Sequence, residues 1–282
     1  LSCLLLATVG GVLLSSLTCT AQIHLRGKRE FATYDYDGVS KDLKLSKKKK
    51  HKELFDFYVL SMSWQPEFCY QHRYDGFSGC ENPLDIFRVN LTIHGMWPQF
   101  EDGSWPSTCS NEKFNAEVVY DIGEERFEKL WPNVKSSKRS RDHTSFWEHE
   151  WSKHGTCSGL TQREYFESTL NHFLKTPSLV HENYGGSVNK SDLEDAYNAQ
   201  LGDGEGDVIL VCSAGRFLSE VRVCIAKKED GSGSERIECI PEVIDEGNCE
   251  DEIFISKFYI DASDSDIARN LEGDLLEFKA EK

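Results

Sequence analysis

Phe146 to Cys157 reads FWEHEWSKHGTC, which places two histidines, two glutamates, a lysine, two tryptophans and a cysteine within twelve residues. On an α-helix, turning about 100° per residue, Lys153, Glu150 and His154 fall about 40°, 100° and 140° round from His149, so the four share one face. His149 with Lys153, and Glu150 with His154, are also i,i+4 neighbours. Trp147 and Trp151 lie beside that face and are expected to pack the helix onto the core. The run HEWSKH approaches the H-E-x-x-H of zinc sites but is one residue too long. Its histidines do not superpose on one side, and Lys153 adds a cation between them, so no metal is expected here. The bland alternative is a helix face of unrelated surface charges.

Two imidazoles and a lysine without a metal suit the cleavage of an RNA phosphodiester. The attacking 2′-hydroxyl belongs to the same molecule as the phosphorus. What remains is proton transfer and stabilisation of an anionic phosphorane. Histidine, titrating near pH 6.5, can serve as base, acid or phosphate-binding cation according to its neighbours. A third histidine is found in LTIHGMWP, where His94 precedes Gly95; alone it would read as an ordinary core or surface histidine.

These segments need a scaffold. FDFYVLSMSW, from Phe55, and FRVNLTIHGMWP, ended by Gly95 and Pro98, read as strands. AEVVYDIGEERFEKLWP reads as a helix stopped by Pro132, and Ser145-x-x-Glu148 as a capping box opening the reactive helix. Further helices are expected at about 161–175 and 190–200. DVILVCS and EVRVCIAKK follow as strands, and the turn EDGSGS makes a hairpin of EVRVCIAKK with RIECI. Strands and helices mix without a βαβ rhythm, which predicts an α+β fold in one domain over 54–258.

The chain of 282 residues carries 39% hydrophobic and 28% charged residues, ordinary for a globular protein. Its net charge of −16 argues against nonspecific nucleic-acid binding but not against a catalyst, which needs positive potential only at its cleft. Residues 1–21 are apolar, uncharged and end in small residues, as in a secretory signal. Lacking a basic start and an initiator Met, they are expected to be a signal without its first residues; a short membrane anchor is the alternative. Residues 22–53 include KLSKKKKHK, with ten Lys/Arg against five Asp/Glu from Arg26 to Glu53. They are expected to be a disordered basic lead or pro-segment. Residues 259–282 form an acidic tail.

Removing Cys3 and Cys19 with the signal leaves eight cysteines, an even number that suits disulfides in an oxidising compartment. Spacing alone leaves their connectivity open. Asn90-Leu91-Thr92 and Asn189-Lys190-Ser191 are sequons for glycosylation at Asn90 and Asn189.

LTIHGMWP and FWEHEWSKHGTC together resemble the two signature blocks of the ribonuclease T2 family, secreted acid endoribonucleases that need no metal. The first block has Met96 where Leu is usual and Leu91 where an aromatic is usual; the second is complete. Similarity extends from WQPEFC through VCSAGRFLSEVRVC, covering about residues 55–255. The resemblance implies a mostly antiparallel central sheet packed against helices. It implies His154 as general base on the 2′-hydroxyl, His94 as general acid to the leaving 5′-oxygen and His149 as phosphate ligand. Lys153 and Glu150 would stabilise the pentacoordinate state. Trp97 would stack on a base, with a core indole as the alternative. The product would be a 2′,3′-cyclic phosphate and then a 3′-phosphate. The implied disulfides are Cys69–Cys80, Cys109–Cys157, Cys212–Cys249 and Cys224–Cys239. Gln99 stands where many members carry Asp, a position that helps some of them choose a base, so base choice stays open.

The expected protein is therefore a monomer that is secreted or delivered to a vacuole or lysosome. It cuts RNA and not DNA, without a cofactor and without stable membrane association. Protonating all nine histidines moves the net charge from −16 to −7, which favours activity below neutral pH. The rivals are a family member acting chiefly as a signal, toxin or storage protein, and a zinc protease.

Overall fold

The computed structural model describes residues 55–136, 143–200, 206 and 208–260, together with the backbone of 19–25 and 28–34. The chain divides into two units, Leu1–Lys50 and His51–Lys282. In the first, strands β1 (Cys19–Leu25) and β2 (Lys28–Tyr34) pair antiparallel. The sequence reading expected a signal's end and a disordered lead there. β1 has the apolar–polar alternation of a strand. The rest of the expected signal and lead, and residues 261–282 of the tail, lie outside the described residues.

The second unit is built on a seven-stranded sheet. Its strands are β3 (Phe57–Ser63), β4 (Thr92–Gln99), β5 (Ser187–Asn189), β6 (Ile209–Ser213), β7 (Phe217–Lys227), β8 (Gly233–Ile237) and β9 (Glu252–Phe254). They run β4–β3–β7–β9–β5, and β6 and β8 also pair with β7. Every pairing is antiparallel except β7 with β9. The expected hairpin is β7–β8. The five longer helices are α1 (Gln65–Gln71), α2 (Ala116–Leu130), α3 (Thr144–Lys153), α4 (Gln162–Asn171) and α5 (Lys190–Asn198). This is an α+β fold with a mostly antiparallel sheet. Among the described residues four disulfides join Cys69–Cys80, Cys109–Cys157, Cys212–Cys249 and Cys224–Cys239, the pairs the resemblance implied.

Side chains of β3 alternate between two cores, as the two-residue period of a strand requires. Tyr58, Leu60 and Met62 enter the larger one beneath the helices, with Phe127, Trp131, Trp147, Trp151, Tyr165 and Phe166. Phe57 and Val59 face the other way onto Ile209, Cys224 and Val243. Trp147 and Trp151 are each 1% exposed, as expected, and fasten α3 to the core.

Three local expectations need correction. The strand anticipated from Phe87 begins only at Thr92, because Asp85–Arg88 closes a helical turn that the Asn90 side chain extends by donating to the Ile86 carbonyl at 2.8 Å. It also does not end at Gly95 or Pro98. β4 is an edge strand, where a proline costs no ladder hydrogen bond. Helix α3 starts at Thr144 with His143 as N-cap, and no side-chain cap forms. The Ser145 hydroxyl accepts from Asn133 Nδ2 at 3.0 Å instead. The Asn133 backbone N–H meanwhile donates to His143 Nδ1 at 2.7 Å, fixing the helix entrance by tertiary contact.

Candidate active site

Strand β4 carries the first part of the site through a bulge. Ser61 of β3 pairs with Gly95 and the next residue, Met62, pairs with Ile93, so His94 is the extra residue without a partner. Bulges bend a strand and re-aim a side chain, here at the rim of the sheet. The backbone carbonyls along this edge are satisfied from the helical layer. Trp131 Nε1 donates to the His94 carbonyl at 2.9 Å, and the Tyr165 hydroxyl to that of Met96 at 3.0 Å. The bulge is thus held by two buried aromatic rings rather than by another strand.

Helix α3 supplies the rest. His149, Glu150 and Lys153 lie on it and His154 is its C-cap. The Cys109–Cys157 disulfide and the Thr108 N–H donating to the Lys153 carbonyl at 2.9 Å fasten this end of the helix. Thr108 has φ 54°, left-handed backbone that is uncommon for a β-branched residue and is held here by that bond and the neighbouring disulfide. His94, Trp97, His149, Glu150, Lys153 and His154 all line one cavity of about 250 Å³. The two sequence blocks therefore border one cavity.

Trp97 stands between the histidines, its ring centroid 5.0 Å from that of His94 and 5.4 Å from that of His154. Its indole N–H donates to Glu150 Oε2 at 3.0 Å. Glu150 is only 1% exposed, and Gly95 is what admits it. A Cβ on Gly95 would fall 2.1 Å from that carboxylate oxygen and 2.3 Å from the indole nitrogen. The indole is thus engaged by the site itself, whereas Trp105, 58% exposed, offers a freer ring on the same cavity, with Gln99 and Glu246 nearby.

The charges are strongly perturbed. Burial pushes the Glu150 carboxyl up to about 7, against the opposing pull of His94, the Trp97 N–H and Lys153. Burial and then the neighbouring Lys153, His149 and His94 press His154 down to about 3, and its Nδ1 is buried without a hydrogen-bond partner among the described residues. His149 is lowered too, by burial, Lys153 and His94. His94 is opposite in sign. Burial works against its charged form, but hydrogen bonding and attraction to Glu220, with Glu150 assisting, leave its pKa raised. One imidazole held neutral and another held protonated form the pairing that acid–base catalysis needs.

Sequence reasoning did not single out Glu220, Trp105 or Glu246. For Glu220 a signal existed: in FLSEVRVCIAK, Glu220 and Arg222 put opposite charges two apart on one face of a largely apolar strand. Of the two sequons, Asn90 is half-buried with its amide spent on Ile86, while Asn189 is exposed beside α5.

Residues 55–239 match the model of the ribonuclease T2 family. The chain belongs to this family. It is 31% identical over 195 residues to the intracellular ribonuclease LX of Solanum lycopersicum, covering 66% of this chain and 77% of that protein. It is 35% identical over 181 residues to ribonuclease DdI of Dictyostelium discoideum, covering 61% and 74%. Its fold matches the crystal structure of RNase NT in complex with 5′-AMP with a TM-score of 0.56 at 25% identity, over 72% of this chain and 99% of that one. T2 ribonucleases are endoribonucleases, and this chain is one by descent. Relatives named as intracellular and as extracellular both occur. No helix among the described residues is long and apolar enough to cross a membrane.

Proposed function

We propose that the cavity between β4 and α3 cleaves single-stranded RNA by transesterification, with each group in the role its environment favours. His154, held neutral, takes the proton of the 2′-hydroxyl as that oxygen attacks phosphorus. His94, held protonated, gives its proton to the departing 5′-oxygen, leaving a 2′,3′-cyclic phosphate. Slower hydrolysis to the 3′-phosphate runs the two roles in reverse, with water in place of the leaving alcohol. Lys153 and His149, both exposed, meet the phosphate oxygens, and the arriving anion draws a proton onto His149. Glu150, with its pKa near 7, is a neutral acid at the working pH. It therefore does not repel the phosphate, and the oxygen not bound to Trp97 can donate to the phosphorane. DNA, lacking the attacking hydroxyl, is not a substrate. Trp105 presents the ring on which a base stacks.

The observation that carries this reading is the opposite perturbation of His94 and His154 on either side of Trp97. It is tested by replacing each with Ala and measuring cleavage of a ribodinucleotide. Each variant is expected to lose a factor on the order of 100 to 10,000 in kcat while keeping its fold. Near-normal turnover in either contradicts the roles. Four disulfides suit an oxidising compartment, and the site favours acid; together they support a secreted or vacuolar/lysosomal enzyme that degrades RNA.

A further inference from the structure

We propose that Glu220 is a positioning residue for the reaction: it fixes His94 with Nδ1–H turned inward and Nε2 turned to the substrate, and is itself clamped by Arg222, which Glu246 holds in turn. This rests on the reading of His94 as the general acid.

The geometry is a relay across three strands. Ser61 and Ser63 of β3 face Arg222 and Glu220 of β7 on one side and β4, around the His94 bulge, on the other. With only small serines between them, His94 and Glu220 meet over β3: His94 Nδ1 lies 2.6 Å from Glu220 Oε1. The other oxygen, Oε2, accepts from Arg222 Nε at 3.0 Å and from Arg222 Nη2 at 2.6 Å, so Arg222 grips one carboxylate oxygen while His94 holds the other. Arg222 Nη1 in turn donates to Glu246, which borders the cavity. Only 13% of the Glu220 side chain is exposed, so this carboxylate is committed to its partners.

Two consequences follow from elementary chemistry. Glu220 is kept ionised, its carboxyl held down at about 2 because His94 and Arg222 outweigh the effect of burial. An ionised carboxylate only accepts, so Nδ1 must carry a hydrogen and Nε2 is left to hold the transferable proton. When Nε2–H passes to the leaving oxygen, the neutral ring keeps its Nδ1–H on Glu220 and stays in register for the reverse step. The charges that act on His94 are Glu220 and Arg222 from β7 and Glu150 from α3, and His94 in turn lowers His149 on α3 and His154 at its cap. Among these, Glu220 and Arg222 pull its proton affinity in opposite directions, and this supplies the test.

The experiment measures the pH dependence of kcat and KM on a ribodinucleotide in the wild type, Glu220→Gln and Arg222→Gln. The His94 pKa is read separately by NMR, which needs no turnover. Glu220→Gln is expected to lower the His94 pKa and move the basic limb of kcat to lower pH. It should reduce kcat roughly 10- to 100-fold, the range for losing a hydrogen bond to a charged group, with KM within about twofold. Arg222→Gln, which removes the opposing cation, is expected to move that limb the other way, and it carries the test should Glu220→Gln not fold. A limb and a His94 pKa that stay put, or move in the same direction in both variants, overturn the proposal. A wild type that titrates at His94 as described but does not cleave RNA refutes the proposed function and leaves the relay standing.

Discussion

Glu150→Gln should make the protein more stable above neutral pH, and its pH dependence reveals why. Glu150 is 1% exposed and its carboxyl is pushed from 4.5 to about 7, chiefly by burial. A raised acid pKa means the folded state holds the proton more tightly than the unfolded state. The ionised form therefore destabilises the fold, fully above about pH 7 and not at all below about pH 4.5. At about 1.36 kcal/mol per unit, the shift amounts to about 3 kcal/mol at pH 8. Gln has the same shape, keeps an oxygen for the Trp97 N–H and carries no charge. In a domain of this size a gain of about 3 kcal/mol raises Tm by about 6–12 °C. The assay is thermal unfolding of both proteins at pH 4.5 and pH 8, alongside ribodinucleotide cleavage. The expected result is similar Tm values at pH 4.5 and a higher Tm for the variant at pH 8. A variant that is less stable than wild type by the same margin at both pH values refutes the reasoning, because Glu150 would then be an ordinary hydrogen-bonded carboxylate.

Gly95→Ala places a methyl where the Glu150–Trp97 hydrogen bond runs. It is expected to lower kcat by at least 10-fold and to lower Tm, since a buried carboxylate left without its donor costs about 1–3 kcal/mol; wild-type values in both measurements contradict this. The pH profile of kcat/KM should peak below pH 6.5. His154, pressed to about 3, stays unprotonated, as a general base must be, well into acid. His149, lowered below 6.5, loses its phosphate-binding proton as pH rises toward neutral, so KM should climb there first. His94, raised, keeps the proton it must donate to higher pH than an ordinary imidazole. An optimum above pH 8 contradicts these assignments.

The reactive face of α3 was legible because helical periodicity is local: the angles between His149, Glu150, Lys153 and His154 follow from spacing alone, and the flanking tryptophans mark the buried side. The pairing of cysteines was not contained in their spacing; it came through the resemblance. The bulge at His94 was not legible. Whether one strand carries an extra residue depends on its partner, and LTIHGMWP looks the same in or out of register. The charge pair of Glu220 and Arg222 was visible, but its partner was hidden for the same reason. Its meaning comes from a histidine 126 positions away, brought near because the strand between them, β3, offers serines on that face. The capping box failed where a local signal met a tertiary one: Ser145 turned to Asn133, and His143 took the helix end. Pro98 was misread as a stop because a sequence does not say which strand lies at an edge.

The most direct measurement compares a ribodinucleotide with the same molecule lacking only the 2′-hydroxyl at the scissile ribose, in the presence of EDTA, with the product ends identified by mass spectrometry. The account predicts that the first is cut to a 2′,3′-cyclic phosphate and then a 3′-phosphate, and that the second stays intact. Cleavage of the deoxy compound, a product bearing a 5′-phosphate, or activity abolished by the chelator would contradict it.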